Sequence, residues 1–210
     1  MSHPSENVNK VDILKEAQRF GLNVPATLVT SSKETLQVFK EKYKFLITKC
    51  ITDYRMLSHE GLYFELYKNE VSQFDVDKLP NTFFPALFQE KISKRYEIRT
   101  FYLDEVFYSM AIFSQSNSKT DIDFRRYDND VPNRTVPYNL PIEIEKKIIN
   151  LMKELNLNTG SIDLIRNHNG DYIFLEINPV GQFGMTSHPC NYNIEKKIAI
   201  HLKNTNYEKK

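Results

Sequence analysis

The chain has 210 residues, with 28 lysines and arginines against 27 aspartates and glutamates, so its formal charge at pH 7 is +1. This balance excludes broad electrostatic attraction to nucleic acid or to an anionic membrane. Hydrophobic residues make up 40% of the chain, enough for a core, and no apolar run reaches the roughly 18 residues of a transmembrane helix. With two cysteines and a polar N-terminus that lacks the pattern of a secretion signal, we expect a cytoplasmic protein with free thiols.

Two helices are predicted near the N-terminus. Residues 1–9 are expected to form a flexible arm, after which Asn9 caps a first helix that stops at Gly21. Ser31 and Glu34 fit a capping box, in which each side chain binds a backbone amide, for a second helix.

Strands are predicted on both sides of a polar region. Phe45-Leu-Ile-Thr-Lys49 indicates a short strand that ends in a lysine, and residues 62–66 alternate as a strand does. The stretch from 68 to 85 holds two prolines and is predicted to be a loop. Three strand-like runs follow, and a tight turn at Asp104-Glu105 joins the last two. These runs are Ala86–Ile92, Glu97–Leu103 and Val106–Ser114.

The C-terminal third is predicted to contain two helices and a hairpin. Residues 115–138 are polar, which favours a long functional or mobile loop. Pro141 opens a helix whose apolar residues recur on one face. A hairpin with its turn at Asn169-Gly170 follows, and a last helix is expected over about 191–202.

The hairpin brings two carboxylates together. If Asn169-Gly170 is a two-residue type I′ turn, Asp163 lies directly opposite Glu176. The two-residue period of a strand puts Asn178 on the same face as Glu176. Facing carboxylates repel, so the sheet needs either a cation between them or a proton on one of them. Two carboxylates and an amide oxygen suit a Mg²⁺ ion that also holds nucleotide phosphates. The alternative is a solvated carboxylate face at the sheet surface.

The same segment carries a family resemblance. Ser161-Ile-Asp-Leu-Ile165, the Asn-Gly turn and Phe174-Leu-Glu-Ile-Asn-Pro-Val-Gly-Gln-Phe-Gly184 resemble the metal-binding end of ATP-grasp ligases. Within these the run is most similar to the maturases of microviridin-type graspetides, in the grasp-with-spasm branch. The resemblance spans about residues 8–204. It implies an α+β ATP-grasp fold, in which a small subdomain (10–88, with the N-terminal helix) and a large one (89–204, before a flexible tail at 205–210) grip ATP between antiparallel sheets.

The resemblance also assigns ligand-binding residues. In the family, an acidic residue on one strand and a Glu-x-Asn on the next bind Mg²⁺, and these match Asp163, Glu176 and Asn178. A lysine that ends an early strand binds the nucleotide phosphates, and Lys49 matches it. The segment that reads the adenine edge through its backbone resembles Phe88 to Ile92, and its members are Gln89, Glu90, Lys91 and Ile92. Glu97 matches the acidic residue that holds the ribose hydroxyls.

Three further residues are implied in catalysis. Arg99 shares a strand face with Glu97 and reaches the same cleft. Asp123-Phe-Arg-Arg126 resembles the family's acidic-x-Arg segment near the acceptor site. Arg125 would stabilise an acyl phosphate, whose charge a planar guanidinium matches. Asp123 is the acidic member of that segment.

The implied activity is that of an ATP- and Mg²⁺-dependent carboxylate ligase. It would activate Asp or Glu side chains of a ribosomal precursor peptide (leader plus core) and close ω-ester or ω-amide rings with Ser, Thr or Lys. Family members usually begin with an additional preATP-grasp domain, whereas this chain starts close to the ATP-binding core. We therefore expect either a shortened fragment or a partner, such as a second copy in a homodimer, that supplies the missing part. The alternatives are a ligase that adds glutamate or another amino acid to a protein or peptide, and a truncated module that binds ATP or peptide without catalysis.

Overall fold

A computed structural model describes residues 9–51, 57–59, 62–64, 69–114 and 133–207, with the backbone alone at 57–59, 62–64 and 205–207. The helices are α1 (Lys10–Arg19), α2 (Lys33–Tyr43), α3 (Gln73–Lys78), α4 (Ile142–Glu154), α5 (Gly184–Cys190) and α6 (Ile194–Tyr207). The strands are β1 (Thr27–Ser32), β2 (Leu46–Lys49), β3 (Leu57–His59), β4 (Leu62–Phe64), β5 (Asn69–Val71), β6 (Thr82–Glu90), β7 (Lys94–Leu103), β8 (Val106–Phe113), β9 (Arg134–Tyr138), β10 (Thr159–Asn167) and β11 (Tyr172–Asn178).

The strands form two main antiparallel sheets. The small sheet has the order β1-β6-β2-β5, the large sheet has the order β11-β10-β7-β8-β9, and β3 pairs with β4. The chain passes from the small sheet to the large one between Glu90 and Lys94. Helices and antiparallel sheets are thus combined as in the predicted α+β fold. None of the helices within the described residues is both long and apolar enough to cross a bilayer.

Each sheet has its own core. Helices α1 and α4 cover one face of the large sheet, where Ile13, Ile148 and Phe174 are buried together. Helices α5 and α6 pack on part of the opposite face through Cys190 and Ile194. The small sheet is covered by α2 and α3, whose buried residues pack against strand residues in one cluster: Leu36, Leu46, Val71, Val76 and Phe88. The face of the large sheet that α1 and α4 leave open is therefore the one able to carry polar groups.

The predicted N-terminal cap of α1 is confirmed, whereas that of α2 lies one residue later than predicted. The Asn9 side chain accepts a hydrogen bond from the Val11 amide, and α1 is followed by Gly21 at φ +77°, as predicted. The capping box at Ser31 and Glu34 is wrong. Ser31 belongs to β1, and the cap of α2 is Ser32, whose hydroxyl accepts from the Thr35 amide. Because β1 continues to Ser32, the helix begins one residue later than the predicted capping box would place it.

The predicted loop over 68–85 is also wrong. It contains β5, α3 and the start of β6. A capping box opens α3, since the Ser72 hydroxyl accepts from the Asp75 amide and the Asp75 carboxylate accepts from the Ser72 amide. The Ser-x-x-Asp spacing that signals this box is present in the sequence. Pro80 does not prevent α3 because it follows the helix, and Pro85 lies in β6 where the register of the β1–β6 pair shifts.

Later elements differ from expectation in detail. Asp104 and Glu105 form the predicted tight turn with φ of +47° and +66°, although neither is glycine. Residues 134–138, predicted as loop, form the edge strand β9, which tolerates Pro137 because an edge strand need not donate on both sides. The last helix, α6, begins at Ile194 rather than at about residue 191, because Asn191 and Asn193 adopt positive φ. The helix α5 before it was not predicted.

Candidate functional site

A cavity of about 470 Å³ lies between the two sheets. Its apolar lining comes from both sheets and includes Pro25, Phe45, Ile47, Ile92, Ile165 and Leu175. Its polar lining includes Lys49, Glu70, Gln89, Glu90, Lys91, Ser93, Lys94, Glu97 and His168. All six residues predicted to bind the nucleotide are therefore brought together, although they come from three strands and a connection. A cavity with apolar walls and a few polar groups converging on it is typical of a small-molecule site.

The segment from Gln89 to Ile92, which we call the hinge, leads from the small sheet to the large one, and hydrogen bonds fix part of its backbone. The Glu90 amide donates to the Ala26 carbonyl at 3.0 Å, and the Lys91 amide donates to the Phe45 carbonyl at 2.8 Å. For the Ile92 amide the described residues provide no partner. The Ile92 amide is therefore able to donate to a ligand edge.

The Gln89 side chain forms a hydrogen bond within the small sheet. It is 1% exposed, and its amide donates to the Thr27 hydroxyl at 2.8 Å across the β1–β6 ladder. Any contact of Gln89 with a nucleotide would thus involve its backbone, as the resemblance implies for the hinge.

Glu97 forms a charged part of the cavity wall. It is 6% exposed, and its Oε1 accepts hydrogen bonds from Lys94 and, at 3.0 Å, from the Ser114 hydroxyl. The pairing with Lys94 offsets the cost of burying the carboxylate. A carboxylate can accept several hydrogen bonds, so Glu97 is of a chemical type that suits a ligand hydroxyl.

Arg99 and Asp163 form a buried ion pair on the polar face of the large sheet. They are directly opposite in the β7–β10 ladder, and Nη1 of Arg99 lies 2.8 Å from each carboxylate oxygen. The two residues are 7% exposed. Arg99 therefore holds the Asp163 carboxylate in one orientation, and the interpretation of Asp163 as a solvated surface carboxylate is wrong.

Glu176 lies across the next ladder from Asp163. The two are Cα partners in the β10–β11 pair, as predicted, and Lys49 Nζ of the small sheet lies 3.6 Å from Glu176 Oε2. The facing carboxylates are thus each beside a cationic side chain, which the analysis of the sequence did not anticipate. Lys49 also lines the cavity, so it links the cavity with these carboxylates.

The hairpin that places Glu176 differs from the predicted one. Asn167 accepts from Gly170 and pairs with Asp171, so the loop has three residues, His168 to Gly170, and only Gly170 has positive φ. A two-residue type I′ turn is therefore wrong. A β-bulge between Asp163 and Leu164 shifts the register back by one residue, so the predicted pairing of Asp163 with Glu176 is nevertheless correct.

Asn178 ends β11 and begins a turn. Its Oδ1 accepts from the Val180 amide at 3.2 Å, and its carbonyl accepts from Gly181 at 3.1 Å. Opposite it, Ser161 is 1% exposed, and its hydroxyl has no hydrogen-bond partner among the residues that the structure describes. Side-chain oxygens thus lie on neighbouring strands along one face.

This oxygen set fits a hard divalent cation. Asp163 and Glu176 supply carboxylates, Asn178 an amide oxygen, and the buried unpartnered Ser161 hydroxyl marks a place where a polar ligand would be stabilising. A cluster of three or more His, Cys, Asp or Glu side chains is absent from the described part of the chain. The predicted trio contains only two such side chains, so this absence does not contradict it.

Two predicted residues cannot be placed. Asp123 and Arg125 lie outside the described residues.

Several residues that line the cavity were not predicted from the sequence. The strand alternation in β2 and β10 could have indicated Ile47 and Ile165. His168 lies in the three-residue hairpin loop, which the predicted two-residue turn did not include.

Comparisons with known proteins agree with this geometry. Residues 7–202 match the RimK-like ATP-grasp domain. Curated proteins give no match. Among solved structures, the macrocyclase MdnC bound with precursor peptide MdnA from Microcystis aeruginosa MRC is similar with a TM-score of 0.74 and 33% identity, over 86% of this chain and 56% of that one.

Two more solved structures are similar. A Chryseobacterium gregarium RiPP-associated ATP-grasp ligase, in complex with ADP and a leader and core peptide, gives a TM-score of 0.76 at 29% identity, over 83% of this chain and 52% of that one. The ATP-grasp ligase PsnB, complexed with a variant of its minimal precursor, Mg and ADP, gives 0.67 at 18% identity, over 90% and 55%, which supports the fold alone.

The chain spans about half the length of these similar proteins. They confirm the predicted ATP-grasp fold and the likeness to graspetide-type peptide maturases. Because the family match extends over nearly the whole sequence, this chain belongs to the RimK-like ATP-grasp family of ligases.

Proposed function

We propose that this chain binds Mg-ATP and activates Asp or Glu side chains of a ribosomal precursor peptide, which it closes into ω-ester or ω-amide rings. The observation that carries the proposal is the position of Lys49. It lines the cavity between the sheets and lies 3.6 Å from Glu176, which faces Asp163. A single lysine thus joins a cavity suited to a nucleoside with a carboxylate pair suited to a metal, as phosphoryl transfer requires.

Different residues of the chain would bind different parts of Mg-ATP. The hinge from Gln89 to Ile92 would bind the base edge, Glu97 the ribose hydroxyls and Lys49 the phosphates. Asp163, Glu176 and Asn178 would hold Mg²⁺, which when bound supplies charge neutralisation at the phosphates.

The reaction then has two steps. A peptide carboxylate oxygen attacks the γ-phosphorus of ATP, and ADP leaves with the electron pair of the broken bond. A hydroxyl or amine of the same peptide attacks the acyl carbon, loses its proton, and releases inorganic phosphate. Arg99 keeps Asp163 oriented through its hydrogen bonds. Arg125, two residues after Asp123 in the sequence, would stabilise the charge of the acyl phosphate.

The similar proteins support a peptide partner. MdnC is bound with its precursor peptide, and the C. gregarium ligase is in complex with a leader and a core peptide. Both are at least 29% identical to this chain. Because this chain spans only about half of their length, a contribution of a partner or of a further segment to ligation is part of the proposal.

Mass spectrometry tests the reaction type. The full chain is incubated with Mg-ATP and a precursor peptide, with MdnA as the first probe, and the expected product is lighter by one water for each ring. Glu176→Gln serves as the control that should abolish the change. A peptide that instead gains the mass of added glutamate would support amino-acid ligation, and ATP binding with an unchanged peptide would support a non-catalytic module.

A further inference from the structure

Two exposed rings line the cavity, one from each sheet. Phe45 directly precedes β2 of the small sheet, and His168 lies in the β10–β11 loop of the large sheet. The other apolar lining side chains within the described part of the chain are aliphatic or proline. Phe45 and His168 are therefore the aromatic surfaces that this cavity offers to a flat ligand.

The Phe45 ring is exposed although its backbone is fixed. The residue is 63% exposed, which is unusual for phenylalanine and leaves apolar area available for contact. Its amide donates to the Tyr43 carbonyl at 2.6 Å and its carbonyl accepts from the Lys91 amide at 2.8 Å. Lys44, at φ +57°, reverses the chain immediately before it. These constraints hold the ring beside the hinge.

The His168 ring is presented by a tightly bonded loop. The Asn167 amide donates to the Asp171 carbonyl at 3.1 Å, and the Asn167 carbonyl accepts from Gly170 at 3.2 Å. The Asn167 side chain donates to Asp171 Oδ2 at 2.9 Å and accepts from the Asp171 amide at 2.7 Å. Four hydrogen bonds therefore close a loop of three residues, which limits the positions of His168.

We propose that Phe45 and His168 form a base clamp, in which the two rings stack on opposite faces of the purine base of a bound nucleotide. The proposal rests on the proposed function, because it requires a nucleotide in this cavity. Stacking on aromatic rings stabilises a base through its π-face and apolar area. Each ring belongs to a different sheet. In the clamp, the base would therefore contact both sheets at once.

Calorimetric titration of the full chain with two probes tests the clamp. The probes are Mg-ATP and Mg-tripolyphosphate, which lacks the base. Phe45→Ala and His168→Ala should each weaken ATP binding about tenfold and leave the affinity for tripolyphosphate unchanged. Phe45→Tyr and His168→Phe, which keep a ring, should retain ATP affinity.

Matched controls come from the same subdomains. Phe84 is 93% exposed on β6 but does not line the cavity, and the His188 side chain is 80% exposed in α5. Phe84→Ala and His188→Ala should bind ATP like the wild type. The clamp is overturned if Phe45→Ala and His168→Ala also do so, or if they lose tripolyphosphate affinity equally. A wild-type chain that binds no Mg-ATP would contradict the proposed function itself.

Discussion

The apolar wall of the cavity between the sheets and the group of charged residues around Lys49 are stabilised by different interactions. The apolar part of the cavity wall consists mainly of aliphatic side chains, and the backbone amides of Glu90 and Lys91 beside it are fixed by hydrogen bonds. The charged residues form what we call the charged row, Lys49, Arg99, Asp163 and Glu176, in which each carboxylate lies beside a cation. The apolar part of the wall should therefore tolerate single substitutions, whereas removal of one partner from the charged row should strongly lower the free energy of unfolding.

Arg99→Ala should have the largest effect on stability. It leaves the buried Asp163 carboxylate without its guanidinium, and we expect a loss of about 3–5 kcal/mol in the free energy of unfolding. Chemical denaturation measures this change. Arg19→Ala is the matched control, because Arg19 pairs with Glu154 at 2.7 Å on the surface, with side chains 56% and 48% exposed, and should change stability little. If the two substitutions lowered the free energy of unfolding equally, the buried pair in the charged row would be no more important for stability than a surface pair, which would contradict this prediction.

Glu176→Gln should sharply weaken Mg-ATP binding without unfolding the chain. The substitution keeps the shape of the side chain and removes the charge that a divalent cation requires, so we expect at least about a tenfold loss of affinity. Titration calorimetry measures it, with Glu105→Gln, on an exposed pair with Lys153, as the control. Unchanged affinity in Glu176→Gln would remove the carboxylate from the site.

Lys49→Ala should weaken ATP binding about tenfold, because a charge-assisted contact with the phosphates is lost. The comparison with Lys91→Ala sharpens the test. Lys91 also lines the cavity, but its Nζ pairs with Glu70 at 3.3 Å and its expected role is through the backbone. A larger loss in Lys91→Ala than in Lys49→Ala, measured by the same titration, would reverse the assignment of the phosphate end.

Ser187→Ala should have the smallest of these effects, about 1 kcal/mol in stability. The Ser187 hydroxyl accepts from the Ile194 amide at 3.0 Å and donates to Glu195 at 2.7 Å. The hydrogen bond from Ser187 lowers the pKa of Glu195. The stabilisation that Glu195 provides is thus present above its unfolded pKa and is lost as pH falls through the lower folded value.

Denaturation at neutral and acidic pH checks this prediction. The wild type should lose more stability on acidification than Ser187→Ala, because the variant lacks the hydrogen bond that favours the ionised carboxylate. Nucleotide affinity should not change, since Ser187 belongs to neither the cavity nor the charged row. An identical pH dependence in the two proteins would contradict the role assigned to this hydrogen bond.

The hairpin shows what sequence reasoning can and cannot reach. The pairing of Asp163 with Glu176 was predicted correctly from a turn that is wrong, because the bulge compensates for the longer loop. The alternation of polar and apolar residues constrains which face is buried, and a bulge can restore that face after a change in loop length. His168 depends on the loop length itself, which the Asn-Gly pair did not determine.

The charged row shows a second limit. Lys49 could be proposed because it ends a short strand and because of the family resemblance. Its closeness to Glu176, like that of Arg99 to Asp163, depends on the register and on how the two sheets meet. The helix α3 is a different case, since its Ser72 and Asp75 box was present in the sequence and was missed.

The most direct test is a thermal-shift titration of the full chain with ATP, in the presence and absence of Mg²⁺. A ligand that binds only the folded state raises its stability in proportion to the logarithm of its concentration. Our account predicts stabilisation that grows with ATP and depends on Mg²⁺, because the cavity and the charged row act on one ligand. An absence of any shift in both conditions, or a shift that Mg²⁺ does not change, would contradict it.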